Sequence, residues 1–320
     1  MILVAPDSFK GTYTAAEVAD AVATGIESAD GSAIRMPVAD GGEGTLDVLT
    51  GPFGLRPVTA ASRNPWGHPC RPAYGLSDDG VAVIELAAAS GITTPHDGPR
   101  DPITATTYGT GMLIADAARR GARQIIVAAG GSATTDGGTG AIAAIEAGGG
   151  LRGAALTVLT DVTTSYTDAA RIFGPQKGAD AGAVQLLTRR LEATARTLPR
   201  DPSGVDRTGA AGGFSGGMWA RYGAELRSGA DYILDVIGFD TVASAASAIV
   251  VGEGRLDGQT KAGKIVSAIL ARAGSTPVYA VVGSVGADLG DYRSRFGDIL
   301  LATDVGAMND AGRAIAAHSR

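Results

Sequence analysis

The chain has 320 residues, 48 glycines and a formal net charge of −6, so glycine occurs at about twice its usual frequency. The glycines follow no three-residue period, which excludes collagen, and a hydrophobic fraction of 45% excludes an unstructured chain. The acidic balance without a Lys/Arg cluster argues against nucleic-acid binding, and the single cysteine, Cys70, excludes an intrachain disulfide and a cysteine-based zinc site.

The N-terminal region alternates between apolar strands and helical patterns. Residues 2–5 form a continuous apolar run that predicts a strand, and residues 34–38 predict a second one. Between them, Thr14 stands three residues before Glu17, which is the pattern of a capping box at the start of a helix. A glycine-rich loop over residues 40–45 then leads into a predicted short helix.

Prolines and glycines interrupt residues 55–100, where only short β-type runs such as residues 81–86 remain. This pattern favours hairpins or an antiparallel patch over strand–helix units. The change in pattern predicts a domain boundary near residue 55.

From about residue 109 the strand–helix alternation resumes. The predicted strands cover residues 124–129, 156–160, 249–251, 277–282 and 299–302. The predicted helices cover residues 109–120, 139–147 and 260–273, with a long helix capped by Asp180, and glycine-rich loops cover residues 209–217 and 252–258. Because the strands are apolar along their whole length, the sequence predicts mostly parallel sheets with helices on both faces.

Glycine-rich loops follow several of these strands and lead into helices, which is where open α/β sheets bind ligands and where helix N-termini offer free backbone N–H groups to anions. In the loop over residues 40–45, Asp40 and Glu43 can hold Mg²⁺ or a substrate hydroxyl. In the loop over residues 130–138, three hydroxyls and the backbone amides can bind a phosphate or a carboxylate, and Asp136 can act as a base or a metal ligand.

The loop over residues 252–260 adds further charged side chains. Arg255 and the nearby Lys264 suit a phosphate or a carboxylate, and Asp257 can orient Mg²⁺ or accept a proton. Directly after the first strand, Lys10 can reach an anion at a helix N-terminus.

Other chemistries fit the sequence less well. The chain reads G-x-x-x-x-G-K from Gly258, but Ile265 stands where a P-loop has Ser or Thr, and the lysine lies about a dozen residues past its strand. The histidines lie outside the glycine-rich loops, which argues against a His-based triad or zinc site. A partial dinucleotide fingerprint at Gly138 lies too far from its strand for a Rossmann turn. The remaining set of carboxylates, hydroxyls, cations and amides suits Mg²⁺-dependent phosphoryl transfer.

Taken together, the loops resemble those of the type I glycerate kinase family. The segments that carry the resemblance occur in the family's order and extend over nearly the whole chain: residues 5–11, 39–45, 107–111, 130–138, 173–179, 209–213 and 252–264. The resemblance implies ATP-dependent phosphorylation of D-glycerate with Mg²⁺, and 2-phosphoglycerate as the product in preference to 3-phosphoglycerate.

The resemblance also implies an α/β fold of two domains. A flavodoxin-like, doubly wound parallel sheet is expected from residues 1–55 and 240–320, and a mixed-sheet α/β domain, residues 56–239, is expected to be inserted into it. The active site would then lie in the cleft between the two domains.

The expected site residues combine the resemblance with the side-chain types. The expected catalytic groups are Lys10, Asp40, Asp136 and Asp257, of which Asp40 and Asp257 are the expected Mg²⁺ ligands, and which aspartate is the base stays open. The expected substrate-binding residues are Ser8, Lys10, Glu43, Arg255 and Lys264. The expected nucleotide- and phosphate-binding residues are Gly130, Gly131, Ser132, Thr134, Lys177, Gly212 and Gly213.

The chain departs from the family pattern in a few places. Thr135 stands where the family usually has Asn, Thr160 stands where it usually has Cys, and the chain is shorter around residues 150–155. Two alternatives therefore stay open, namely a kinase of another small hydroxy acid and a drifted, non-catalytic ligand-binding protein on the same fold.

The sequence also bears on location and assembly. No apolar stretch approaches the roughly 18 residues of a membrane span. The first apolar run is too short for a signal peptide and lacks a basic region before it. We therefore expect a cytoplasmic monomer or homodimer with no membrane or nucleic-acid partner.

Overall fold

The computed structural model describes residues 1–258 and 265–318, and the chain folds as two units. The first unit contains Met1–Asp40 and Gly229–Arg320, and the second contains Gly41–Ser228. Each unit is an α/β structure around its own sheet, as predicted. The predicted domain limits, residues 1–55 with 240–320 and residues 56–239, lie further along the chain than the limits of these units and stay a prediction.

The strands and helices are numbered in chain order. The strands are β1 (Ile2–Pro6), β2 (Ala33–Arg35), β3 (Arg56–Thr59), β4 (Ser62–Arg63), β5 (Pro69–Cys70), β6 (Ala73–Leu76), β7 (Val81–Glu85), β8 (Gln124–Ala128), β9 (Ala155–Leu159), β10 (Glu225–Arg227), β11 (Ala248–Leu256), β12 (Val278–Val285) and β13 (Asp298–Leu301). The α-helices are α1 (Ala15–Ser28), α2 (Thr45–Phe53), α3 (Ala87–Ser90), α4 (Tyr108–Arg119), α5 (Thr139–Ala147), α6 (Ala169–Phe173), α7 (Ala181–Ala195), α8 (Phe214–Tyr222), α9 (Gly229–Val236), α10 (Phe239–Ala243), α11 (Ile265–Arg272) and α12 (Val305–His318). Short 3₁₀ helices cover Pro175–Lys177 and Ala287–Arg295.

The first unit is built on a parallel sheet with the strand order β2-β1-β11-β12-β13. Counted along the chain this is the order 2-1-3-4-5, which is typical of flavodoxin-like folds. Successive side chains of β1 point to opposite faces, so Ile2 and Val4 pack with α1 and α12, whereas Leu3 and Ala5 pack with α9, α10 and α11. The sheet is therefore covered by helices on both faces, as the apolar strands predict.

The capping box predicted for α1 is confirmed. The Glu17 backbone N–H donates to the Thr14 hydroxyl at 3.2 Å, and the Thr14 backbone N–H donates to the Glu17 carboxylate at 2.8 Å. Further along, α1 packs against α12 with glycine at the closest approach. A Cβ atom at Gly312 would overlap the carbonyl oxygen of Val22, and one at Gly25 would overlap the carbonyl oxygen of Asn309.

Replacing Gly312 with alanine is expected to destabilise the first unit, because the added methyl group forces α1 and α12 apart. The expected cost is about 2 kcal/mol of unfolding free energy, which thermal unfolding would show as a Tm lower by several degrees. Gly182→Ala in α7 is the control, since a Cβ atom there meets only the Asp180 carboxylate at 3.5 Å. An unchanged Tm for Gly312→Ala would show that the helix pair accommodates a wider spacing.

The second unit contains a mixed sheet with the strand order β10-β9-β8-β7-β6-β3. The pairs β3/β6 and β6/β7 are antiparallel, and the pairs from β7 through β10 are parallel. The short strands β4 and β5 form a separate antiparallel pair. The hairpins predicted over residues 55–100 are therefore confirmed, and they supply the antiparallel edge of an otherwise parallel sheet.

Some predicted elements differ from the structure. Residues 252–256, predicted as a loop, continue β11, because β11 pairs with β12 up to the pair of Leu256 in β11 with Val285 in β12. Residues 214–217, also predicted as a loop, begin α8. Helix α12 follows β13 without having been predicted. In the described ranges, no helix is long and apolar enough to cross a membrane.

Candidate functional site

The first unit has a topological switch point between β1 and β11. The last pair between these strands joins Pro6 and Gly252, whereas β11 continues beside β12 as far as Leu256. Strand β2 lies on the far side of β1 and β12 lies on the far side of β11, so the connections leave in opposite directions. Such a point opens a crevice at the carboxyl ends of the strands, where doubly wound sheets bind ligands.

A cavity of about 450 Å³ lies at this point, and we name it the switch-point cavity. The cavity is lined by the loop after β1, by the end of the segment that follows β2, by the part of β11 that continues past its last pair with β1, and by the ends of β12 and β13. The lining residues are Asp7, Ser8, Phe9, Lys10, Thr12, Asp40, Glu253, Gly254, Arg255, Ile265, Gly283, Ser284 and Thr303. Four residues predicted from the sequence, namely Ser8, Lys10, Asp40 and Arg255, are thus brought together in one cavity.

Asp7 is a lining residue that the sequence analysis did not single out. It follows the last residue of β1 and is only 5% exposed. Burial raises the pKa of the Asp7 carboxyl to about 8, the negative charges of Asp40 and Glu253 add to this, and Lys10 opposes it. Its position as the first residue beyond an apolar strand is the signal that could have identified it.

Ser8 supports the interpretation of this cavity as a ligand site. Its side chain is buried, with 7% of the residue exposed, and its hydroxyl oxygen has no hydrogen-bond partner among the described residues. Its backbone N–H donates to the Asp7 carboxylate at 2.7 Å. Because buried hydroxyls are nearly always paired in folded proteins, an unpaired one that lines a cavity marks a position for a ligand atom.

The cations of this region lie beside carboxylates. The Lys10 ammonium nitrogen is 3.4 Å from an Asp40 carboxylate oxygen, and 54% of the Lys10 side chain is exposed. The Arg255 Nε atom is 3.0 Å from an Asp257 carboxylate oxygen, and the Arg255 side chain is also mostly exposed. Both cations can therefore turn toward an anionic ligand at little cost. Lys264, predicted to bind the substrate, lies outside the described residues.

The predicted Mg²⁺ ligands do not form a resident metal site in the described ranges. Mg²⁺ prefers an octahedron of oxygen ligands at about 2.0–2.1 Å. Asp40 and Asp257 are each engaged with a cation, and the part of the chain that the structure describes contains no group of three His, Cys, Asp or Glu residues that can hold a metal ion. The donor set therefore does not fit a metal bound by the protein alone.

A second cavity, of about 370 Å³, lies in the second unit, and we name it the glycine-loop cavity. It is lined by the loop after β8, by residues after β9 and by the 3₁₀ helix Pro175–Lys177. The predicted nucleotide-binding residues Gly130, Gly131, Ser132 and Lys177 all line it. The loop after β8 and the 3₁₀ helix Pro175–Lys177 thus bring these residues together.

Lys177 is the charged group of the glycine-loop cavity. It is 7% exposed, and its ammonium group donates to the Ser132 hydroxyl at 2.9 Å and to the Thr134 carbonyl oxygen at 2.6 Å. Across residues 1–258 and 265–318, no carboxylate forms an ion pair with it. Burial lowers the pKa of the Lys177 ammonium to about 7, an effect that Asp136 partly opposes. A buried cation without an ion-pair partner is suited to an anion.

The loop over residues 41–45 packs beside this cavity. The Gly130 backbone N–H donates to the Gly41 carbonyl oxygen at 3.4 Å, and a Cβ atom at Gly130 would lie 2.6 Å from the Gly42 Cα atom.

The Glu85 carboxylate, whose pKa burial raises, accepts the Leu46 backbone N–H at 3.0 Å at the start of α2. Glu43 belongs to the second unit and its side chain is exposed, so its predicted substrate contact stays a prediction.

Asp136 is placed where it joins two helix N-termini. Its carboxylate accepts hydrogen bonds from the hydroxyls of Thr106 and Thr107 and from the backbone N–H groups of Thr107, Gly138 and Gly140, at 2.8–3.2 Å. Both oxygens are thus engaged at the starts of α4 and α5. This geometry favours a structural role over the predicted role as a base or a metal ligand.

The other predicted nucleotide-binding residues, Thr134, Gly212 and Gly213, contact neighbouring segments, and their binding of nucleotide stays a prediction. The Thr134 carbonyl oxygen accepts the Lys177 bond, and a Cβ atom at Gly212 would overlap that same oxygen. A Cβ atom at Gly213 would lie 2.8 Å from the Tyr166 ring. Gly212 and Gly213 therefore let the segment before α8 run close to residues 134–137, and it is their neighbours Ala210 and Ala211 that line the cavity.

Comparison with known proteins supports a family for this arrangement. The sequence profile of the Glycerate kinase family matches residues 2–149 and 146–308. Glycerate 2-kinase of Escherichia coli (strain K12) is 33% identical, over 98% of this chain and 93% of that protein. Glycerate kinase of Bacillus subtilis (strain 168) is 36% identical, over 90% of this chain and 86% of that protein.

A solved structure shows the same fold. The crystal structure of a Salmonella typhimurium LT2 protein, provisionally designated glycerate kinase 2, superposes with a TM-score of 0.83 at 31% identity, and covers 99% of this chain and 97% of its own. The profile, the relatives and the solved structure all extend over both units and both cavities. On these grounds the chain is a kinase and belongs to the glycerate kinase family.

Proposed function

We propose that the chain transfers the terminal phosphoryl group of ATP to the 2-hydroxyl of D-glycerate. The observation that carries the proposal is the switch-point cavity, where buried carboxylates, two cations and an unpaired buried hydroxyl meet at the carboxyl ends of parallel strands. The name of the Escherichia coli relative, glycerate 2-kinase, supports the 2-hydroxyl as the acceptor.

Glycerate carries a carboxylate and two hydroxyls, and the switch-point cavity offers a partner for each. Lys10 and Arg255 lie at its exposed side and suit the carboxylate, and Lys264 is a further proposed contact. The Ser8 hydroxyl and the carboxylates of Asp7 and Asp40 suit the hydroxyl groups of the substrate. A cavity with three carboxylates favours a polyol of low charge over a triphosphate.

The glycine-loop cavity suits the phosphates of the nucleotide. The backbone amides of Gly131 and Ser132 and the Lys177 ammonium group offer donors and a positive charge where the described residues supply no carboxylate partner. We propose that Mg²⁺ arrives with the nucleotide as part of the MgATP substrate, with its remaining ligands from phosphate and water. Action in the cytoplasm, as a monomer or a homodimer, stays a prediction.

The experiment that tests this function is steady-state ADP release by the purified chain with MgATP. We expect release that depends on D-glycerate, and NMR of the product should show the phosphate on the 2-oxygen. The same assay over a panel of small hydroxy acids, with lactate, tartronate and L-glycerate as controls, should show D-glycerate as the best acceptor. Faster turnover of another acid would identify a different kinase, and glycerate binding without ADP release would identify a non-catalytic relative.

A further inference from the structure

The position of Asp7 sets it apart from the other acids of the molecule. Its backbone N–H donates to the Gly252 carbonyl oxygen at 2.8 Å, which fixes the residue between the ends of β1 and β11. One carboxylate oxygen accepts the Ser8 backbone N–H at 2.7 Å. The other oxygen accepts no hydrogen bond from any described residue, and the side chain lines the switch-point cavity. A substrate hydroxyl in this cavity can therefore donate to it.

The remaining aspartates considered from the sequence are engaged. Asp40 lies beside the Lys10 ammonium group, Asp257 lies beside the Arg255 guanidinium group, and Asp136 accepts hydrogen bonds at both oxygens. A substrate hydroxyl that donates to one of these carboxylates would have to compete with the partners that they already have. Asp7 has the opposite surroundings, since it is buried and faces other negative charges.

We propose that Asp7 is the catalytic base that accepts the proton of the reacting hydroxyl, an inference that rests on the function proposed above. The O–H bond of the glycerate 2-hydroxyl breaks, and its proton passes to the second carboxylate oxygen of Asp7. The hydroxyl oxygen forms the new bond to the γ-phosphorus of ATP, and the bond from that phosphorus to the bridging oxygen breaks. ADP leaves with that electron pair, and solvent later removes the proton from Asp7.

The charges around Asp7 adjust the pKa of its carboxyl group for this role. Asp40 on the loop after β2 and Glu253 on β11 make its ionised form less favourable, and Lys10 on the loop after β1 makes it more favourable. A base works best when its pKa lies near the working pH, and the pKa of Asp7 is raised to about 8. The base must be ionised to act, so kcat/KM for glycerate should rise with pH until Asp7 is fully deprotonated.

The first test is Asp7→Asn, which keeps the size of the side chain and its hydrogen-bonding capacity but cannot take the proton. We expect kcat to fall by about 100- to 10,000-fold, while the KM for ATP changes little. The rising limb of the pH profile should be absent from the residual activity. Circular dichroism and thermal unfolding would show that the variant is folded.

The second test uses the two charged neighbours, which should move the rising limb in opposite directions. Asp40→Asn removes a negative charge, so the limb should move to lower pH. Lys10→Met removes a positive charge, so the limb should move to higher pH. Both variants also lose activity because Asp40 and Lys10 are themselves proposed to contact the substrate. The readout is therefore the pH at which the rising limb lies, and not the rate.

The outcomes separate this inference from the function on which it rests. Wild-type turnover of glycerate with near-normal turnover by Asp7→Asn would overturn Asp7 as the base and leave the function intact. A rising limb that lies at the wild-type pH in both Asp40→Asn and Lys10→Met would also overturn Asp7 as the base. Absence of glycerate-dependent ADP release from the wild-type chain would overturn the function, and the inference with it.

Discussion

Lys177→Met is expected to lower kcat/KM for ATP by about 100-fold, because the variant removes the buried cation that faces the nucleotide phosphates. A hydrogen bond from a charged group is worth about 1.5–3 kcal/mol, and about 1.4 kcal/mol corresponds to a tenfold change. Methionine has nearly the length of lysine and fills the same space without charge. The loss should appear in the KM for ATP, and the KM for glycerate should change much less.

The pH dependence of this effect follows from the lowered pKa of Lys177, about 7. Below pH 7 the side chain is a cation and attracts phosphate. As pH rises above 7 the wild-type cation is lost, so the KM for ATP should increase toward tenfold per pH unit until binding without the cation takes over. In Lys177→Met this increase should be absent, and the comparison with the variant removes any contribution from the phosphates themselves.

Gln176→Ala provides a matched control, since Gln176 is the neighbouring residue and lines the same glycine-loop cavity. It should keep both the low KM for ATP and its rise with pH. If Lys177→Met also kept them, the lysine would serve only to tie Ser132 to Thr134, and the phosphates would have to bind elsewhere. Kinetic measurements between pH 6 and pH 9 decide between the two roles.

The grouping of the site residues was accessible from the sequence because of one geometric rule. Parallel strands end at the same edge of a sheet, so loops that follow different strands meet there. The rule brings Ser8 and Lys10, on the loop after β1, to the carboxyl end of β11, where Arg255 lies, although β1 and β11 are far apart in the sequence. It needs only the strand positions and the order of the loops, which the apolar runs reveal.

The partners and neighbouring charges of Asp7 and Asp136 could not be predicted in this way. Asp7 and Asp136 both follow apolar strands in polar, glycine-containing loops and look alike in sequence. Their difference comes from partners far along the chain, since Thr106 and Thr107 donate to Asp136, whereas Glu253 and Asp40 place negative charge near Asp7. Such partners depend on how the chain folds, and one sequence without its relatives does not show them.

The extension of β11 was missed for a similar reason. Glycine is depleted in strands, so the run from Gly252 to Arg255 has the composition of a loop. Its strand form is held by β12, and a Cβ atom at Gly283 of β12 would lie 2.7 Å from the Gly254 carbonyl oxygen. The glycines thus permit a close approach between strands that carry the lining of the switch-point cavity.

Asp7→Asn, the variant expected to lose turnover, is also expected to unfold at a higher temperature than the wild-type chain. Folding raises the pKa of the Asp7 carboxyl from 3.8 to about 8, so ionisation opposes folding. The destabilisation is absent below about pH 4, grows as pH rises, and is constant above the folded pKa. At about 1.4 kcal/mol per pKa unit it reaches about 6 kcal/mol, which corresponds to a Tm difference on the order of 10 °C.

The measurement is thermal unfolding of both proteins between pH 4 and pH 9, where the advantage of Asp7→Asn should widen up to about pH 8 and then stay level. Asp30→Asn is the control, because Asp30 is exposed and its left-handed backbone, at φ 54°, suits asparagine equally well. A lower Tm for Asp7→Asn at pH 8 would mean that the ionised carboxylate stabilises the fold. Replacing a residue that serves only packing destabilises the protein. Replacing a catalytic base whose ionisation opposes folding is expected to lower turnover and to stabilise the protein.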